Sequence, residues 1–289
     1  MNYLEKQKRI LAIHDISCVG RCSLTVALPI LCSAGFDTSV LPTAVLSTHT
    51  GEFKNYTYRD LTDDIVPITN HWKELGLEFD ALYTGYLGSY KQIDLIADVF
   101  EKFKLNSNII MVDPVMGDNG RLYSAYTHEM AKGMKKLCEK CDILVPNLTE
   151  AAFILGEEFK GGCHDAPYIE SILNKLSQTG AKIIVLTGVS FEEQKIGAAG
   201  LDSSTGKIHY SFCGRIPGHF HGTGDIFASV LLAALMKGRK IDDAIKTSVG
   251  FTHKCIAFSE ELQQEKRYGV CFEKALPFLA EMQNDIERA

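Results

Sequence analysis

The chain of 289 residues contains no apolar run approaching the roughly 18 residues that a membrane-crossing helix needs. The run nearest the N-terminus, residues 10–13, is too short for a secretory signal, and no small-residue cleavage site follows it. Positive charge is scarce. Thirty Lys and Arg face 36 Asp and Glu, a net charge of -6, which argues against the basic surface of a nucleic-acid binder. A Walker A loop is missing, because the gap from Gly200 to Gly206-Lys207 is wrong and Ile208 stands where Ser or Thr is needed. No Gly-x-Gly-x-x-Gly follows the first predicted strand, which disfavours a dinucleotide-binding fold. Internal repeats, low-complexity tracts and linkers are likewise absent. The nine cysteines are odd in number and scattered, so without an export signal they read as reduced, mostly buried thiols in a cytosolic protein. Cys138-x-x-Cys141 lacks the second pair of a zinc site and reads as buried.

What is present is an ordinary globular balance, 46% hydrophobic and 23% charged, over a length that allows one large domain or two small ones. Residues 1–289 are read as a single domain. Short β-rich runs at 9–13, 39–46, 81–84, 109–113, 143–146 and 182–187 alternate with helical spacing at 22–34, 63–75, 91–104, 124–139 and 168–179. Such alternation predicts a three-layer α/β/α sandwich with a mostly parallel central sheet. Near-continuous apolar runs such as Ile-Ile-Met-Val and Ile-Ile-Val-Leu suit strands covered on both faces. Two regions break the rhythm. Residues 53–59 alternate with one polar face and predict an exposed strand or small flap. Residues 196–215 carry Ser-Ser-Thr-Gly at 203–206 and predict a hairpin. Helices are expected again at 226–236, 241–258 and 272–286.

In a sheet of this kind the ligand lies beyond the carboxyl ends of the strands. The residues there are His14-Asp15, His49-Thr50-Gly51, Gly85-Tyr86, Asp113-Pro114, Asn147 to Glu150, and Thr187-Gly188. Gly222-Thr223-Gly224-Asp225 is the strongest local signal. Two glycines permit a tight turn with amides facing one way, and the following helix adds its N-terminal dipole, which makes an anion hole. An acid there repels phosphate but serves as a base for an attacking hydroxyl. The plainer alternative is an Asp-capped helix after a Gly turn. Asn147-Leu-Thr-Glu150 has capping-box spacing, and equally suits Glu150 holding Mg²⁺ through water with Asn147 reaching nucleotide phosphates. Asp113-Pro-Val-Met-Gly-Asp118-Asn-Gly120 puts two carboxylates in a Gly-containing loop, a common Mg²⁺ arrangement or a solvated turn. His219-Phe-His221 has chelating chemistry, though two histidines in a loop are more often polar or substrate-facing.

In their order along the chain these motifs resemble the ribokinase-like superfamily: Asp-Pro-Val-x-Gly-Asp, Pro-Asn-x-x-Glu, a strand ending Thr-Gly, then Gly-Thr-Gly-Asp. The resemblance covers residues 9–260. His49-Thr50-Gly51 and Thr84-Gly85-Tyr86 are most similar to the pyridoxal kinases within it. That resemblance implies ATP-dependent phosphorylation of the 5′-hydroxymethyl group of B6 vitamers. It implies Thr50 and Tyr86 at the ring, Asp113, Asp118, Asn147 and Glu150 serving metal and phosphates, and Thr187 and Gly188 near the nucleotide. Gly222, Thr223 and Gly224 would form the anion hole and Asp225 would be the base. It further implies Mg²⁺, often a K⁺ response, and a homodimer. One departure stands out: many pyridoxal kinases carry Ser-His after the first strand, whereas this chain has His14-Asp15. Asp15 there resembles hydroxymethylpyrimidine kinases, the alternative activity, and is expected to face substrate, to cap the next helix, or to pair with Arg21. The alternative from another class is a ligand-binding member of the fold without turnover.

Overall fold

In the computed structural model, residues 7–284 are described, apart from position 125 and the side chains beyond 280. The chain runs β1 (Arg9–Ser17), α1 (Leu24–Ser33), β2 (Asp37–Leu46), β3 (Tyr58–Asp60), α2 (Thr62–Glu74), β4 (Ala81–Thr84), α3 (Tyr90–Phe103) and β5 (Ile109–Val112). A two-residue pair follows, β6 (Gly117–Asp118) and β7 (Arg121–Leu122), then α4 (His128–Cys138), β8 (Ile143–Leu144), α5 (Leu148–Leu155) and α6 (Ala166–Leu176). The remainder is β9 (Ile183–Val189), β10 (Lys195–Asp202), β11 (Lys207–Gly214), α7 (Thr223–Met236), α8 (Ile241–Glu261) and α9 (Leu276–Asn284).

One nine-stranded sheet has the order β11-β10-β9-β8-β5-β4-β1-β2-β3. Its six inner strands are parallel, and antiparallel pairing is confined to β3 at one edge and to β10 and β11 at the other. The strand period of two sends alternate residues to opposite layers. Leu11 and Ile13 join Leu82, Val112 and Leu186 under α3, α4 and α6. Ile10 joins Tyr83, Met111 and Val185 under α1, α7 and α8. A fully enclosed side chain such as Ile96 or Leu231 contributes about 1.5–3 kcal/mol by leaving water. β1 is flanked by β2 on one side and β4 on the other, so the chain reverses its direction of winding there. Such a switch point opens a crevice at the strand ends, and Asp15 lies near the end of β1, where its register with β2 shifts.

The alternation read from the sequence is therefore the architecture, and the hairpin forms with Asp202 opposite Lys207 across the 203–206 turn. Boundaries moved where local chemistry decided them. α4 begins at His128 rather than near 124, because the Thr127 side chain accepts from Met130 N at 3.2 Å and fixes the start. Asp165 does the same for α6, accepting from Tyr168 N at 3.0 Å. The expected strand at 53–59 is mostly loop. Within it only Tyr58 and Arg59 pair with β2, and Thr57 bonds Ser47 just beyond, its carbonyl accepting from Ser47 N at 3.1 Å and its N–H donating to Ser47 Oγ at 2.9 Å; the residues before Thr57 are loop. At the C-terminus a 3₁₀ turn at Glu273–Ala275 precedes α9, and the expected helical residues 285 and 286 lie outside the described residues.

Candidate active site

At the N-terminus of α7, Gly222 sits at φ 81°. A Cβ on it would lie 2.3 Å from the carbonyl oxygen of Arg21, so only glycine closes this turn. No side chain caps the helix, which leaves the amides of its first turn directed at the crevice. Thr223 is held by a 3.1 Å hydrogen bond from Oγ1 to the Phe220 carbonyl. Asp225 follows in the same turn, and its Oδ2 accepts from Ser23 N at 2.8 Å. Burial pushes the Asp225 carboxyl up to about 7, against the lowering effect of the Ser23 amide, and the charge of Asp15 adds to the rise.

Asp15 is buried at the end of β1. Its Oδ1 accepts from Ser23 Oγ, and its Oδ2 accepts from Ser17 Oγ at 3.3 Å. Burial raises its pKa, and the two hydroxyls oppose that rise. It neither caps α1 nor pairs with Arg21, whose guanidinium instead meets Glu273 at 2.6 Å. Tyr86 follows β4, and its proton affinity is raised by burial and then by Tyr58, Asp15 and Tyr56, which share its side of the crevice. Thr50 is partly buried in the loop after β2. Next to it the His49 ring lies 4.8 Å from His221 and 4.9 Å from Phe53, and His49 Nε2 contacts the Arg267 carbonyl. The loop after β2, the 219–221 loop and the C-terminal segment thus converge beside Thr50.

Three loops build the opposite side. Glu150 is buried, its Oε2 accepting from Asn147 N at 2.8 Å and its Oε1 from Met116 N at 3.2 Å. Asn147 Oδ1 accepts in return from Glu150 N at 2.9 Å, which completes a capping box, while Asn147 Nδ2 reaches the Gly117 carbonyl at 2.9 Å. Burial lifts Glu150 to about 8 despite these amides, and Asp118 contributes. Asp113, also buried, is raised by burial, then by Glu150 and Asp225. Asp118 opens the β6–β7 turn, where Asn119 at φ 50° and Gly120 at φ 76° give the tight hairpin conformation that Asn-Gly favours. An adjoining cavity of about 550 Å³ is lined by Asp118, Asn147, Thr187, Gly188, Lys160 and Arg215 among others. Of the residues singled out from the sequence, Asp118, Asn147, Thr187 and Gly188 line that cavity, Asp15 and Asp225 meet through Ser23, and Asp113 lies near enough to Glu150 and Asp225 to feel the charge of both. Among the described residues no three His, Cys, Asp or Glu side chains are grouped to ligate a metal directly, His219 and His221 included. Cys138 and Cys141 are buried, as expected.

The chain matches a known family. A model of the phosphomethylpyrimidine kinase family matches residues 43–271. The chain belongs to that family. It is also 30% identical over 240 residues to a pyridoxal kinase of Arabidopsis thaliana, covering 78% of this chain and 73% of the plant protein. A pyridoxal kinase from Lactobacillus plantarum superposes with a TM-score of 0.89 at 31% identity, covering 97% of this chain and 99% of that one. A protein from Bacteroides thetaiotaomicron, named after the phosphomethylpyrimidine kinases and solved with pyridoxal, gives 0.91 at 38% identity, over 95% and 96% of the two chains. The protein is thus a kinase of the ribokinase-like superfamily, and within it is similar to pyridoxal kinases.

Sequence reasoning missed two residues of this kinase. Ser23 binds two carboxylates, but it read as the first turn of a helix. Gln92 read as one more helical position. It is fully buried, and its Nε2 donates to the Thr43 carbonyl at 2.9 Å and to Thr62 Oγ1 at 3.0 Å. Its Oε1 accepts from Gly88 N at 2.7 Å, which fixes the segment after Tyr86 to the root of β3. Only an uncharged polar residue on the apolar stripe of α3 signalled it.

Proposed function

We propose that this kinase transfers the γ-phosphoryl group of ATP to the 5′-hydroxymethyl group of pyridoxal, pyridoxine and pyridoxamine. The observation that carries the reading is Asp225, a carboxylate held by Ser23 N in the first turn of the uncapped helix α7. Phosphoryl transfer asks a protein for positioning and charge stabilisation more than for covalent chemistry. The amides of Gly222, Thr223 and Gly224 hold the charge that develops on the transferred group. Asp225, with proton affinity lifted to about 7, takes the hydroxyl proton as the oxygen attacks. Asp113, Asn147, Thr187, Gly188 and Thr223 bind the nucleotide, on the side where the 550 Å³ cavity opens. Thr50 and Tyr86 contact the ring, with Asp15 accepting a hydrogen bond from its protonated nitrogen or from a protonated 4′ amine.

Mg²⁺ fits the donor set. Asp113 and Glu150 are buried carboxylates whose protons are held by burial and mutual repulsion, a situation that a hard divalent cation relieves. Asp118 and Glu150 would hold it through water, since no three side chains group for direct ligation among the described residues. Bound there, it neutralises phosphate charge. A K⁺ response, a homodimer and a cytosolic location belong to the same reading; among the described residues no helix is long and apolar enough to cross a membrane.

The second reading, phosphorylation of a hydroxymethylpyrimidine, is favoured by Asp15 and by the matching family model. Steady-state assays with ATP across the three vitamers, hydroxymethylpyrimidine and a sugar separate the two. The expected result is a kcat/KM for at least one vitamer that exceeds the others by tenfold or more. A preference for the pyrimidine would install the second reading, and no turnover with any acceptor would leave a binding protein.

A further inference from the structure

Ser23 breaks two local rules at once. It occupies the N-cap of α1, where a serine oxygen ordinarily accepts from the helix amides, yet its side chain makes no capping bond. Its backbone stands at φ 48°, ψ -129°, a conformation close to the glycine position of a tight turn and strained for a residue with a Cβ. Neither cost is repaid within the helix. What the conformation achieves is the placement of both donors of one residue on two different carboxylates. Ser23 N reaches Asp225 Oδ2 at 2.8 Å, and Ser23 Oγ reaches Asp15 Oδ1. The chain distances involved are 202 and 8 residues, so the pairing is a product of the tertiary fold. Ser23 and Asp15 are both buried, so water does not compete for the hydroxyl bond, whereas the bond to Asp225 is partly open to the crevice. Glycine would relieve the backbone and keep the amide. It would lose only the hydroxyl. A strained serine in place of an easy glycine marks the hydroxyl as the group that matters.

The geometry points to Ser23 as a positioning residue that fixes Asp15, and with it the acceptor ring, relative to Asp225. This inference rests on the reading of Asp15 and Asp225 as acceptor-side carboxylates, and it adds the part that holds them in register. Through the amide Ser23 orients the base, and through the hydroxyl it holds the recognising carboxylate in one rotamer. The hydroxymethyl oxygen can then meet Asp225 only when the ring is seated against Asp15.

Two substitutions test it. Ser23→Ala keeps the amide and removes the hydroxyl on an unrelieved backbone; Ser23→Gly removes the hydroxyl and relieves the backbone. Loss of a hydrogen bond to a charged group predicts that kcat/KM for the acceptor falls roughly 10- to 100-fold in both variants, with the KM for ATP unchanged. The melting temperature of Ser23→Gly should lie above that of Ser23→Ala, which separates strain from function. In an Asp15→Ser background Ser23→Ala should cost nothing further, because the hydroxyl has lost its target. Acceptor kcat/KM within twofold of wild type in either variant overturns the inference. So does an equal rise in the KM for ATP, or a full additional loss on top of Asp15→Ser. Failure of Asp225 as the base is read separately from Asp225→Asn, and it does not alter these outcomes, which concern the seating of the acceptor.

Discussion

Replacing Asp225 by Asn should slow the enzyme and stabilise it. The carboxylate is nearly isosteric with the amide, so the packing of α7 is preserved. A general base contributes roughly 10²–10⁴-fold, and turnover should fall by that factor while ATP affinity stays close to wild type. Stability should move the other way. Burial lifts the Asp225 carboxyl from its ordinary 3.8 to about 7. An acid whose folded-state pKa is raised releases its proton more readily in the unfolded chain. The folded state is therefore unpenalised below about pH 4, loses stability progressively as pH rises to about 7, and carries the full penalty above it. At 1.36 kcal/mol per tenfold change in proton affinity, that penalty is about 4 kcal/mol at most. Asp225 retains some exposure to the crevice and is coupled to Asp15, so the realised gain on removing it is expected at about half that figure or less. For a chain of this size, 1–2 kcal/mol raises the melting temperature by roughly 2–8 °C. Differential scanning calorimetry at pH 8 and pH 5, paired with steady-state kinetics, reads both effects. The gain should be present at pH 8 and shrink towards pH 5, where the wild-type carboxyl is largely protonated. In the wild type, kcat should rise as pH climbs through about 7. More than about a tenth of wild-type turnover in the mutant would remove Asp225 as the base. A thermal gain of equal size at both pH values would refute the electrostatic argument.

Glu150→Gln tests the dual role of the capping box. The amide cannot accept on both sides, so one of the bonds from Met116 N and Asn147 N is lost, at a cost of about 1 kcal/mol. Because relief of the buried carboxylate, lifted to about 8, offsets that cost increasingly as pH rises from about 4.5 to 8, the loss is read by chemical denaturation near pH 5. The Mg²⁺ concentration for half-maximal rate should also rise; a stability loss with unchanged Mg²⁺ dependence would leave Glu150 a structural cap alone. Asp15→Ser should change the ratio of kcat/KM for pyridoxamine to that for pyridoxal and shift the pH profile of that ratio. An equal decline across vitamers with an unaltered profile would remove Asp15 from the substrate.

Much of the protein was written locally in its sequence. The apolar runs of β5 and β9, buried on both faces, announce a parallel sheet because only helices on both sides cover such strands. Asn119-Gly120 is forced by a hairpin that needs two positive φ angles, a constraint that acts over a few residues and leaves a compositional mark. Gly222 marks its turn in the same way through its own φ of 81°, although the Arg21 carbonyl that forbids a Cβ there is brought by the tertiary fold. Asn147 and Glu150 are likewise readable, since a capping box spans one helical turn. What the sequence could not decide is who meets whom across the crevice. Asp15 had three candidate roles within its own neighbourhood, and the tertiary structure rejected the cap and the pairing with Arg21 by giving Arg21 to Glu273. Ser23 carries no local sign of its partners, because one lies 202 residues away and its conformation is paid for by neither helix propensity nor capping. The raised proton affinity of Asp225 has the same origin. It follows from enclosure by β1, α1 and α7 together with the charge of Asp15, and burial and through-space charge depend on where the chain brings residues together rather than on their order along it.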